Sequence, residues 1–247
     1  MPFIDPEDGY LTVINLFKTT AWGRVDRLVA EMRSIVDTAA FPGWISSTVH
    51  RGVDMPGTAN FIQWRGMADL EARYDDDTFK HHTIPVFREI TSFVRLMQTE
   101  AVLSRRHPSL GEVTEISPDR DDYTVIEILD VEPSAQGELI SLLETTHSWL
   151  QDVPGYRSQS VLRGIRSRNL DGGGGALAAV GTDNDFVVVY SQWADRESHA
   201  AYRTREEAPW ASARRAFIAK RDSLTKAVDW NGYRVVHTRS AGRPAAA

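Results

Sequence analysis

Asn60, Ile62 and Trp64 occupy alternate positions of the β-rich run Asn60-Phe61-Ile62-Gln63-Trp64. Strand geometry therefore puts their side chains on one face. An amide in a buried strand needs hydrogen-bond partners. It either finds them in a packed core beside the tryptophan, or offers its donor and acceptor to a molecule held in a cavity. On the preceding strand, strict alternation places His50 with Trp44, Ser46 and Thr48, facing the same cavity as Asn60. Histidine titrates near neutral pH, so His50 could carry protons to or from a bound reactant. His81 and His82 are candidates for the same work, but as neighbours on a helix only one can face a pocket. His107, His147, His199 and His237 read as surface residues.

Other chemistries find little support. There is no cysteine, which excludes thiolate ligands, Cys nucleophiles and disulfides. The His-x-x-x-His and carboxylate spacings of metal sites are missing, and no metal is expected. Asp75-Asp76-Asp77 reads as a solvated loop and helix start, with a hard-cation site as the alternative. Gly172–Gly175 has neither a Lys-Ser/Thr helix start nor the dinucleotide fingerprint after it, so it reads as a hairpin loop. No Gly-x-Ser-x-Gly elbow is present.

The elements that must position these residues are written twice. Pro42-Gly43-Trp44 and its closing Arg51-Gly52 return as Pro154-Gly155-Tyr156 and Arg163-Gly164, and Gln63-Trp64 returns as Gln192-Trp193. Such long-period self-similarity means one fold unit used twice. In the first copy, alternation and helical spacing predict strand 10–17, helix 22–40, strands 44–52 and 60–65, helices 67–74 and 79–91, and strand 93–103. The second copy predicts strand 123–131, helix 135–150, strands 156–166 and 186–193, helices 196–203 and 209–223, and strand 225–238. Each order is β-α-β-β-α-β, a ferredoxin-like unit of the α+β class. The expected domains are 1–104 and 122–240, joined by a polar linker over 105–121, with a tail over 241–247. Both helices of such a unit cover one sheet face, so the two open faces are expected to pack sheet to sheet as a pseudo-dimeric α+β barrel. Each half could then hold a cavity between its sheet and its helices. The copies differ where it matters: Val189, Ser191 and Trp193 stand in place of Asn60, Ile62 and Trp64.

The chain has 247 residues, 42% of them hydrophobic, and a net charge of −6. That suffices for two packed units and disfavours nucleic acid as the main partner. The start Met1-Pro2-Phe3-Ile4-Asp5-Pro6-Glu7 lacks the basic and apolar regions of a secretory signal, and no apolar stretch could span a bilayer. A cytoplasmic protein without membrane contact is expected.

The Pro-Gly-aromatic turn, the run Asn60-Phe61-Ile62-Gln63-Trp64, and the stretch holding Tyr74 and Phe79-Lys80-His81-His82 resemble the antibiotic biosynthesis monooxygenases. The Asn-x-x-x-Trp spacing is similar to that of the anthrone oxygenases of aromatic polyketide pathways. Among two-unit members, the ring-opening oxygenases of angucycline pathways are similar in size and layout. The resemblance implies an oxygenase acting on a polycyclic aromatic polyketide with dioxygen. No cofactor would be tightly bound, although reduced flavin from a separate flavin reductase is an implied co-reactant. It makes Asn60 and Trp64 the groups that orient substrate oxygens, with His50, His81 or Tyr74 moving protons. Trp44, Ile62, Phe79, Arg88 and Trp193 would contact substrate, Tyr74 and Arg88 standing near the family's tyrosine and arginine. The same scaffold also suits a polyketide cyclase or a non-catalytic ligand-binding module; heme degradation fits less well. Further pairing as a homodimer stays open.

Overall fold

The computed structural model describes residues 1–75, 84–171 and 182–241. Its first half runs β1 (Phe3–Ile4), β2 (Leu11–Lys18), α1 (Val25–Thr38), β3 (Trp44–Gly52), β4 (Gly57–Trp64), α2 (Met67–Asp75), α3 (Ile84–Ile90) and β5 (Phe93–Arg106). The second half runs β6 (Thr114–Glu115), β7 (Tyr123–Val131), α4 (Gln136–Glu144), α5 (His147–Leu150), β8 (Tyr156–Asp171), β9 (Thr182–Asp183), β10 (Phe186–Trp193), α6 (Arg196–Thr204), α7 (Ala211–Leu224) and β11 (Thr225–Ser240). Within the halves the strand orders are β5-β2-β4-β3 and β8-β10-β7-β11, the same antiparallel arrangement twice. Edge strand β5 then pairs with β8, and β11 pairs with β3. These two seams close the eight long strands into one barrel, leaving no long edge exposed.

Alternation sorts each strand between the barrel interior and the helices. Ile14, Leu16, Ala59 and Phe61 point inward and meet Ile126, Leu162, Val188 and Tyr190 of the other half in one core. Val13, Asn15 and Phe17 point outward, toward α1. The apolar spacing of α1 places Leu28, Met32 and Val36 against the sheet, where they are buried with Phe17, Val49 and Val94.

The repeated sequence elements have defined structural duties. Gly43 and Gly155 both adopt left-handed backbone, with φ of 73° and 80°. At each, a Cβ would collide with a side chain of the next helix, Asp69 or Ser198. Glycine is thus required by both torsion and space. Gln63 accepts from Ser46 Oγ at 2.7 Å and donates to the Phe3 carbonyl at 3.0 Å. Its counterpart Gln192 accepts from Ser158 Oγ at 2.7 Å and donates to the Glu115 carbonyl at 2.8 Å. The two glutamines hold the β1–β6 ribbon from opposite strands.

Several elements depart from the sequence reading, among them β4, which begins at Gly57, and β8, which runs on to Asp171. The helix expected over 135–150 is divided into α4 and α5, because the Thr145 and Thr146 hydroxyls donate to the carbonyls of Leu142 and Leu143, each at 2.7 Å. β5 continues to Arg106, since its pairing with β8 extends to Arg106 opposite Ser158. The stretch expected as a polar linker contributes β6 and the fully buried Ile116, whose N–H donates to Pro2. Phe79, His81, His82 and the Gly172–Gly175 loop lie outside the described residues. No described helix is long and apolar enough to cross a membrane.

Candidate active site

Between the outer face of the first-half sheet and its helices lies a cavity of about 900 Å³, measured to its solvent mouth. Its walls are mostly apolar: Val13, Phe17 and Val94 from strands, Val36, Leu70 and Phe87 from helices. Asn60, Ile62 and Trp64 of β4 line it together, as alternation requires. Trp44 of β3, Tyr74 of α2 and Arg88 of α3 line it as well. Expected site residues from four separate elements are therefore brought to one chamber.

The structure adds a residue that the sequence reading missed. Asn15 of β2 lies directly opposite Asn60 of β4 in register and lines the same cavity. The Oδ1 atoms of both asparagines and the indole Nε1 of Trp64 are buried without a hydrogen-bond partner among the described residues. Unmade hydrogen bonds of this kind each cost about 1–3 kcal/mol. Three of them around one chamber mark a place where a ligand's polar groups can complete the set. The available signal for Asn15 was an amide breaking the apolar run Leu11-Thr12-Val13-Ile14-Asn15-Leu16-Phe17.

The other polar groups are more settled. Trp44 Nε1 donates to Ser47 Oγ at 2.8 Å, which fixes the indole against the cavity wall. Arg73 lies over the Phe41 ring at 4.1 Å, and both residues belong to the lining. Burial pushes the Tyr74 phenol up to about 12, so it keeps its proton at neutral pH and can serve as a donor. Among the described residues, no three His, Asp or Glu side chains converge as a metal-binding set.

His50 is placed otherwise than alternation predicts. A β-bulge between Trp44 and Ser46 inserts Ile45 and reverses the phase of β3 beyond it. Trp44, Ser47 and Val49 consequently share the cavity side, paired with Trp64, Ile62 and Asn60. Ser46, Thr48 and His50 turn into the barrel instead. His50 is fully buried there, and its Nε2 lies 2.9 Å from the Tyr190 hydroxyl of the other half. Burial holds its pKa down to about 4, so the ring is neutral. It is a core residue, remote in facing from Asn60.

Trp193 lines a separate cavity in the second half, together with Val189 and Ser191, the residues that alternation puts on its strand face. In that register Glu127 takes the place of Asn15 and Val189 that of Asn60. The paired amides are confined to the first half.

No family model and no curated protein matches the chain. Among solved structures, the crystal structure of an anthrone oxidase-like protein shares 43% sequence identity and a TM-score of 0.87, over 98% of each chain. The chain belongs to the family of this anthrone oxidase-like protein, and its fold is that of the antibiotic biosynthesis monooxygenases. Two proteins assigned as monooxygenases show the same fold at 9% identity. The one from Fusobacterium nucleatum subsp. nucleatum has a TM-score of 0.59 over 94% of this chain and 95% of that one. The one from Lactobacillus acidophilus has a TM-score of 0.51 over 94% and 96%. The antibiotic biosynthesis monooxygenase fold thus extends across both halves, while the amide pair occurs in only one.

Proposed function

We propose that the first-half cavity binds a polycyclic aromatic polyketide, whose phenol or hydroquinone ring is oxidised by dioxygen to a quinone or opened by oxidative C–C cleavage in antibiotic biosynthesis. The observation that carries this reading is the trio of buried, unpartnered polar atoms on Asn15, Asn60 and Trp64 inside an apolar chamber. Flat apolar walls suit fused rings, and a few fixed polar groups suit their oxygen substituents. An ionised phenol is the reactive, electron-rich form. The Trp64 indole N–H in a water-poor site donates to that oxygen and stabilises charge there with little reorganisation, while the Asn15 and Asn60 carbonyl oxygens accept from a neighbouring substrate hydroxyl. The Arg73 and Arg88 guanidiniums of the lining favour that anion over the neutral phenol. Tyr74, protonated at neutral pH, supplies a further donor and is the described group placed to return a proton.

Electrons for dioxygen come from the substrate itself, or from reduced flavin delivered as a diffusible co-reactant by a separate reductase. Oxygen-electrode measurements on the purified protein with a polycyclic hydroquinone, with and without chemically reduced FAD, test both points. Oxygen uptake tied to substrate is the expected result. Product formed with no oxygen consumed would instead make the protein a cyclase. Asn60→Ala and Trp64→Phe should each slow turnover about 5–30-fold, the effect of losing one hydrogen bond worth about 1–2 kcal/mol. Unchanged rates in both variants would remove these residues from the site.

A further inference from the structure

The second half carries a cavity of its own, and we propose that it is a binding site for a planar aromatic molecule bearing an anionic group, separate from the site of oxidation. This cavity spans about 1270 Å³ up to its solvent mouth. Trp193, Tyr202 and Trp230 form its aromatic walls, with the rings of Trp193 and Tyr202 5.0 Å apart. Flat rings in such a chamber accept another flat ring by offset stacking.

The polar lining differs in kind from that of the first half. The amide pair is replaced by Glu127 and Val189, and arginines enter. Glu127 is already answered by Arg221, 3.1 Å away, so it leaves no net charge for a ligand to meet. One cation without an ion pair remains, and a second, paired guanidinium keeps an open N–H. Arg203 lies over the Trp230 ring at 4.3 Å and makes no ion pair among the described residues. Arg214 is 2% exposed; its Nη1 donates to the Tyr202 carbonyl and its Nη2 to Glu206 at 3.2 Å. Its Nε is buried in the lining with no partner among the described residues. A buried guanidinium N–H left open costs free energy unless an acceptor completes it. An aromatic carboxylate or phenolate would stack on the aromatic walls, meet Arg203 with its charge, and offer an acceptor to Arg214.

Titration calorimetry on the full chain decides the matter, with anthraquinone-2-carboxylate and the uncharged 2-(hydroxymethyl)anthraquinone as probes. The carboxylate should show a binding event that Arg203→Gln weakens about tenfold or more, that added salt weakens, and that Arg203→Lys partly restores. Asn60→Ala should leave that event unchanged, and the uncharged probe should lack it. Arg203 is exposed, so its replacement spares the core. The proposal is overturned if no carboxylate binding depends on Arg203. It is equally overturned if the Arg203-dependent site takes the uncharged probe as tightly. Oxygen uptake by the Arg203→Gln protein should match the unaltered protein, so failure here leaves the reading of the first-half cavity standing, and the converse.

Discussion

Asn15 and Asn60 face each other across β2 and β4 with their carbonyl oxygens unpartnered, and this arrangement makes a prediction at the scale of single residues. If both amides serve one ligand, Asn15→Ala should slow turnover by a factor similar to Asn60→Ala. The double variant should lose less than the product of the two, because residues acting on one group are not additive. Steady-state rates of the three proteins check it; strict additivity would mean that the two amides serve different groups. His50 yields a prediction of another kind. Its folded pKa of about 4 lies below its ordinary 6.5, so the unfolded chain binds the extra proton between those values. Its contribution to stability is complete above about pH 6.5 and is lost as pH falls toward 4. His199, also held down to about 4 by burial, acts in the same direction. Urea denaturation across that window should show stability falling with acid, and falling less steeply in His50→Gln.

At the scale of elements, the bulge at Ile45 and the two left-handed glycines decide which side chains meet. The second half repeats the irregularity, with a register shift that pairs Tyr156 with Trp193 and Ser158 with Gln192. The bulge explains how one strand can send Trp44 and Ser47 to the cavity yet turn Ser46 and His50 into the barrel. Gly43→Ala should destabilise by about 1–2 kcal/mol from backbone torsion alone, with more from the collision at Asp69. Gly155→Ala should behave alike, and equal urea midpoints for these variants and the unaltered chain would contradict the account. The division of α4 from α5 has a local cause of the same sort. Two successive threonine hydroxyls take up the carbonyls that a continuous helix would need.

At the scale of the whole molecule, the two halves depend on each other through the β5–β8 and β11–β3 seams and the core they enclose. Arg95 of β5 also reaches Asp130 of β7 with two hydrogen bonds, at 2.6 and 3.3 Å. Separated halves would expose long strand edges and an apolar sheet face together. Residues 1–110 produced alone should therefore aggregate or lack a cooperative unfolding transition, whereas co-production with 111–247 should restore a soluble complex. A free first half with an unfolding midpoint like that of the whole chain would show that the seams are dispensable. The pseudo-symmetry thus serves folding, while the two cavities differ in their linings.

Sequence alone determined the repeated unit, its β-α-β-β-α-β order and the cavity face of β4, because periodicity and turn chemistry are local properties of the chain. Asn60, Ile62 and Trp64 share a face for the simple reason that alternate residues of a regular strand must. Trp44, Tyr74 and Arg88 line the same chamber from three other elements. What local pattern could not settle was the phase of β3 after Trp44, since a bulge arises from pairing with a neighbour and leaves no clear trace in the residues themselves. That one inserted residue moved His50 from the cavity to the core. Nor could the sequence bring Asn15 beside Asn60, because that relation depends on cross-strand register. Tertiary structure decided them, through hydrogen-bond pairing between strands distant along the chain.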